Sequence, residues 1–238
     1  MKQWAALERR DDSTPGRESR TMIHVLTLPG CFVRGADRQT ALAALPSAIE
    51  AFLGWLEQKG IHPQNAAREW ELVEEQQGVA PFESGDDAAL FQLDLLPPED
   101  AELESYLRVS GAAREDLLAL TVPLSPEERK ASRPRTRTIE GILWHVAHAE
   151  EWYISRLGMI PELQAFDAFP GTLFEYLAAV RSLAQKRFRS LTPLERATIY
   201  RFPEYTSHPD EPWNLRKALR RMIEHEREHT ANIRIILS

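Results

Sequence analysis

Apolar positions follow two different rhythms along this chain, and the change falls near residue 97. Before it, short apolar runs alternate with turn-forming residues; after it, long runs repeat at helical spacing. Gln3–Glu8 and Met22–Leu28 read as strands joined by the polar loop Arg9–Arg20, which holds Pro15 and Gly16. In the second strand Met22, His24, Leu26 and Leu28 alternate with Ile23, Val25 and Thr27, a pattern that fits a strand covered on both faces. Pro29-Gly30 ends it. Ala43, Leu45, Ile49, Phe52, Leu53 and Leu56 recur at threes and fours, which predicts a helix over Asp37–Lys59 stopped by Gly60. Trp70–Glu75 reads as a third strand. The first part is therefore strand, strand, helix, strand.

Leu96-Pro97-Pro98-Glu99-Asp100 forms a joint, because the two prolines restrict the backbone and interrupt regular structure. Four long helices are expected after it: Ala101–Leu120, Ile139–Leu157, Leu173–Leu191 and Asn214–Leu237. Thr138 and Thr172 stand where a side-chain oxygen can cap the second and third. The expected fold is α+β with two domains, a small ββαβ unit over 1–97 and an all-α four-helix bundle over 98–238.

Composition narrows the class. Of 238 residues, 43% are hydrophobic and 27% charged, which is enough apolar surface to build a core. No run reaches the roughly 18 to 20 apolar residues that a membrane helix needs. The first twenty residues carry Asp11, Asp12 and Glu18 and lack the apolar centre of a secretion signal. A single cysteine, Cys31, excludes an internal disulfide framework. These features lead us to expect a cytoplasmic protein. The net charge of −7 divides into −6 over residues 1–97 and −1 over the rest, so neither part is a basic footprint for nucleic acid. The basic run Arg129, Lys130, Arg133, Arg135 and Arg137 reads as a solvated stretch before a helix.

The candidate chemistry lies in the histidines. His225 and His229 are four apart, so on a helix they share a face and can chelate one ion. Two imidazoles suit Zn, Ni, Fe or Mn. A third ligand is offered by Trp144-His145-Val146-Ala147-His148. The apolar arc of that helix centres on Ile142, Val146, Ala149 and Tyr153, with His145 at its edge and His148 further toward solvent. His145 is the better ligand; His148 is the alternative, or a supporting residue. Glu150 falls on the inner side and is expected to orient a histidine, to serve as a fourth ligand, or to pair with an arginine. His225–His229 also spells H-E-x-x-H, in which Glu226 would be the general base of a zinc peptidase, although glutamate is a common filler in a charged helix. His24 and His208 read as ordinary strand and loop residues, and Cys31 as a packing residue. Trp144, Trp152, Tyr153 and Trp213 either line a pocket near the histidines or fill the core.

The stretches Thr138–Tyr153 and Trp213–His229 resemble the DinB/YfiT-like superfamily. The resemblance implies a four-helix bundle, often dimeric, in which His145, His225 and His229 hold a divalent metal. It also implies relatives among thiol-dependent S-transferases, maleylpyruvate isomerase-type enzymes and metal-dependent hydrolases. On that basis the chain is expected to be a metal-dependent hydrolase or thiol transferase, taking a small-molecule substrate or a thiol cofactor. Leu26–Gly35 followed by Thr40–Leu45 resembles the HicB-like fold over about residues 1–75. That suggests the competing reading, a non-catalytic binding, sensing or scaffold protein whose first domain recognises a partner.

Overall fold

The computed structural model describes residues 1–10, 21–78, 90–132, 137–202 and 211–238. Most of the Arg9–Arg20 loop, together with Arg133, Arg135 and His208, lies outside them. The first part is a four-stranded sheet with one helix. Its elements are β1 (Gln3–Arg10), β2 (Thr21–Val25), β3 (Phe32–Gly35), α1 (Arg38–Gln58) and β4 (Trp70–Gly78). The spatial order is β3-β2-β1-β4, antiparallel except for the parallel pair β1 and β4.

Two details differ from the sequence expectation. β2 ends at Val25 rather than Leu28, because the chain turns there: the Leu28 N–H donates to the Val25 carbonyl (3.0 Å) and the Cys31 N–H to the Leu28 carbonyl (2.9 Å). β3 is an additional strand, only four residues long with alternate positions partly exposed, too short for a pattern to declare it.

α1 begins where Asp37 accepts from the Thr40 N–H (2.7 Å) and covers one face of the sheet. Ala41, Leu45, Ile49, Phe52 and Leu56 of α1 share a buried core with Ala5, Leu7, Ile23, Val25 and Val33. The other residues of β2, Met22 and His24, point the opposite way, toward the last helix. β2 is thus buried on both faces, as its sequence implies.

After a 3₁₀ turn at Gln92–Leu95, the second part comprises α2 (Asp100–Thr121), α3 (Pro126–Lys130), α4 (Ile139–Ser155), α5 (Pro161–Gln164), α6 (Leu173–Ser190), α7 (Pro193–Ala197) and α8 (Leu215–Leu237). The four long helices α2, α4, α6 and α8 form a four-helix bundle with α3, α5 and α7 in the connections. Thr138 accepts from the Gly141 N–H (3.0 Å), and Thr172 with Glu175 closes a capping box, so both expected caps are present.

Four charges are buried at the centre of the bundle, one from each long helix. Glu150 of α4 accepts from Arg114 of α2 (2.7 Å) and from Arg181 of α6; Glu226 of α8 accepts from Arg181 (2.5 Å) and from Arg114. Each arginine also donates to a backbone carbonyl of the other's helix, Arg114 to Leu177 (2.7 Å) and Arg181 to Ser110 (2.9 Å). Burial works against the Glu226 carboxylate, yet the two guanidiniums hold its pKa below the usual range.

α8 also binds the sheet. Gly30 has φ +93°, and a Cβ there would come within 2.5 Å of Ile223 Cγ2, so only glycine fits the turn against the helix. His24 is fully buried, with Nδ1 3.0 Å from Glu224 Oε1 and Nε2 3.4 Å from Glu8 Oε2. Arg220 reaches Asp94 (2.7 Å) and Arg221 reaches Glu224 (2.9 Å). From Leu215 to Glu226 every residue of α8 is buried.

Two predictions follow from these contacts. Arg181→Met leaves two buried carboxylates sharing one guanidinium, and should lower the unfolding free energy by about 3 to 5 kcal/mol in urea titrations. The second concerns pH. Burial lowers the His24 pKa from 6.5 to about 4, while the unfolded chain takes up that proton near 6.5. The unfolded state therefore binds more protons between those values, and stability should fall as pH drops from about 6.5 toward 4. His24→Gln should make the urea midpoint less sensitive to pH over that window, by up to about 1.4 kcal/mol per pH unit.

Candidate metal centre

The i, i+4 spacing on α8 turns His225 and His229 to one face, and α4 packs against that face. His145 comes across from α4, so its Nε2 lies 3.0 Å from His225 Nε2, which lies 3.1 Å from His229 Nε2. All three nitrogens fall within 4.8 Å of one another. Bonds of about 2.0–2.1 Å in a tetrahedral shell would put donors roughly 3.3 Å apart, close to the 3.0 and 3.1 Å separations on either side of His225. His225 is buried, whereas His145 and His229 are partly exposed. The cluster therefore has one face toward the core and one toward solvent.

Its electrostatics keep the rings neutral. Burial comes first in each case, lowering the His145 pKa to about 4 and the His229 pKa to about 3 and carrying His225 well below its ordinary value. Neighbouring charges add to this: Arg137 and then His148 beside His145, the rings of His229 and His145 with Arg221 and Arg34 beside His225, and His145 with Arg137, Arg34 and Arg221 beside His229. Neutral imidazoles keep the lone pairs that a cation requires. Glu228, between the two α8 histidines in sequence, pairs with Arg34 of β3 (3.0 Å). The sheet thus reaches the rim of the cluster.

The remaining sequence candidates separate clearly. His148 is exposed and stacks on Trp144, with ring centroids 5.5 Å apart, outside the cluster. Glu150 takes the arginine-pairing role among the three expected for it. Glu226 is turned to Arg114 and Arg181, in keeping with the preference for glutamate as a helix filler over the H-E-x-x-H reading: no general base faces the histidines from that position. Tyr153 and Trp213 are core residues, although the Tyr153 ring lies 6.1 Å from that of His225; Trp152 is partly buried against both, and Trp144 is partly buried against Tyr176. Burial pushes the Cys31 thiol up to about 12 and its Sγ donates weakly to the Ala48 carbonyl, so it packs and does not react. Of the basic run, Lys130 pairs with Glu140 (3.9 Å) and Arg129 lies over the Phe174 ring.

Sequence reasoning missed His24. Its place in a doubly covered strand was the available signal, since a titratable group there must find a polar partner. The partner, Glu224, is 200 residues away.

No curated protein matches this chain. Among solved structures, it is similar to YfiT from Bacillus subtilis, described as a probable metal-dependent hydrolase with an unusual four-helix bundle topology. The identity is 15% and the TM-score 0.44, covering 58% of this chain and 87% of that one. None of the described helices is long and apolar enough to cross a membrane. The family model of the DinB superfamily matches residues 111–233, just over half of the chain and spanning the bundle with all three clustered histidines, and the chain belongs to that superfamily.

Proposed function

We propose that this protein is a divalent-metal-dependent enzyme, a hydrolase or a thiol S-transferase, in which His145, His225 and His229 hold the ion. The observation that carries this reading is the convergence of three neutral Nε2 atoms from two helices, with two of the rings partly open to solvent. Three protein ligands leave coordination positions free, as catalytic centres do and closed structural sites do not. A divalent cation bound there supplies Lewis acidity and activates a water or a thiol at neutral pH. The chain's own groups hold the ligands in place. The Tyr153 ring packs edge-on near His225, and the Arg34–Glu228 pair braces α8 between its two histidines. Beneath them, Glu150 and Glu226 fix α4 to α8 through the two buried arginines. His₃ donor sets accept Zn, Ni, Fe and Mn alike. The partial exposure of His145 and His229 favours catalysis over a non-catalytic scaffold.

Metal analysis tests the reading. The purified full chain, loaded in turn with Zn²⁺, Ni²⁺, Mn²⁺ or, without oxygen, Fe²⁺ and then desalted, should retain one ion per chain with at least one of these metals. His225→Ala should reduce retention at least tenfold, and His148→Ala should not change it. A wild-type chain that retains none of the four metals removes the proposal. Glu226→Gln provides a second discrimination. It should retain the metal yet melt at lower temperature, because its oxygens serve the arginines; unchanged stability with lost hydrolysis would restore the peptidase reading.

A further inference from the structure

A cavity of about 480 Å³ lies between the N-terminal unit and the bundle, on the side of α1 and α2. That volume is within the range of small-molecule sites. Its wall is formed by Leu28, Phe52, Leu56, Ile61, Tyr106 and Val109, all buried. At its mouth stand Trp4 and Leu96, 46% and 57% exposed. Large apolar side chains are thus left in water around a concave apolar surface, and an occupant would relieve that cost.

Most polar side chains of the lining are committed elsewhere, and Ser105 and Gln64, which are not, carry no charge. Arg216 grips Glu102 with both terminal nitrogens, one at 2.7 Å, and donates from Nε to the Leu96 carbonyl (2.8 Å). Asn65 donates to the Lys2 carbonyl (3.0 Å) and accepts from the Ala67 N–H (3.1 Å). Thr27 donates to Gln3 Oε1 (2.6 Å) and accepts from the Trp4 N–H (3.0 Å). Lys2 is paired at the surface with Glu71 (3.8 Å). An ionic ligand entering past the exposed Met1 would lose its hydration against a buried wall that offers it no uncompensated side-chain charge, which is unfavourable. A neutral apolar ligand would lose nothing comparable, and it gains in proportion to the apolar surface it covers.

We propose that this cavity is a binding site for a neutral, largely apolar small molecule, separate from the histidine cluster and independent of any metal there. The test uses two fluorescent probes that differ by one charged group, neutral 1-anilinonaphthalene and its 8-sulfonate, with the full-length chain. Neutral probe should bind saturably, one per chain, and the sulfonate at least tenfold more weakly. Val109→Trp, which fills the cavity, and Leu96→Glu, which places a charge at its mouth, should each weaken the neutral probe at least tenfold. His225→Ala should leave its binding unchanged. Absence of saturable binding overturns the proposal, as does a sulfonate that binds as tightly as the neutral probe. Loss of binding in His225→Ala would place the probe at the histidines and overturn it equally. Should Val109→Trp fail to fold, Leu96→Glu decides, because its position is exposed: wild-type affinity in a normally folded Leu96→Glu chain sinks the assignment.

Discussion

Two carboxylates and two guanidiniums, closed into a ring at the centre of the bundle, set the geometry on which the rest of the molecule relies. Glu150 and Glu226 come from the same two helices that carry the histidines, and the arginines come from the other two. Each carboxylate is held by both arginines, and each arginine is anchored on the backbone of the opposite helix. Taking four charges out of water is costly, and an apolar core of equal volume would often be as stable or more so. A ring of directional contacts supplies rotational register. Apolar side chains alone tolerate sliding and rotation, whereas a carboxylate that misses its guanidinium is left buried and bare. Three imidazoles can meet at one point only if α4 and α8 keep a fixed rotation relative to each other, and the ring imposes it.

α8 serves three neighbours at once. One face completes the bundle core, another presents His225 and His229, and its first half lies against the sheet through Met22, His24 and the Gly30 turn. This explains a helix that is polar in composition and yet buried from Leu215 to Glu226. Its Lys217, Arg220, Arg221 and Glu224 are matched by Glu211, Asp94, His24 and one another. The N-terminal unit therefore shares its core and its buried polar contacts with the helix that carries two of the clustered histidines.

Much of this was legible in the sequence because it rests on local spacing. The four long helices, the caps at Thr138 and Thr172, the doubly covered β2 and the shared face of His225 and His229 all follow from periodicity within one segment. His145 was distinguished from His148 by its angle to the apolar arc of its own helix. Long-range pairing was not legible. Glu150 could be placed on an inner face, but nothing local points to Arg114 and Arg181, in helices whose packing order is set only in three dimensions. Nothing local marks Arg216, Lys217, Arg220 and Arg221 as buried either: periodicity registers polarity, and a buried ion pair looks like an exposed one until its partner is known. β3 escaped because four residues are fewer than any alternation needs to be seen.

The ring of charges also determines where this chain can tolerate changes in length. Adding or removing one residue inside α2, α4, α6 or α8, between a ring member and the rest of its helix, turns one of the two by about 100° relative to the other and slides it 1.5 Å. The ring then loses a member on that helix, or keeps it at the expense of the packing beyond. The linking segments around α3, α5 and α7 carry no part of the ring and lie among the connections, where inserted residues cost little. Variation in length should therefore collect in the connectors, while the four long helices change by substitution alone.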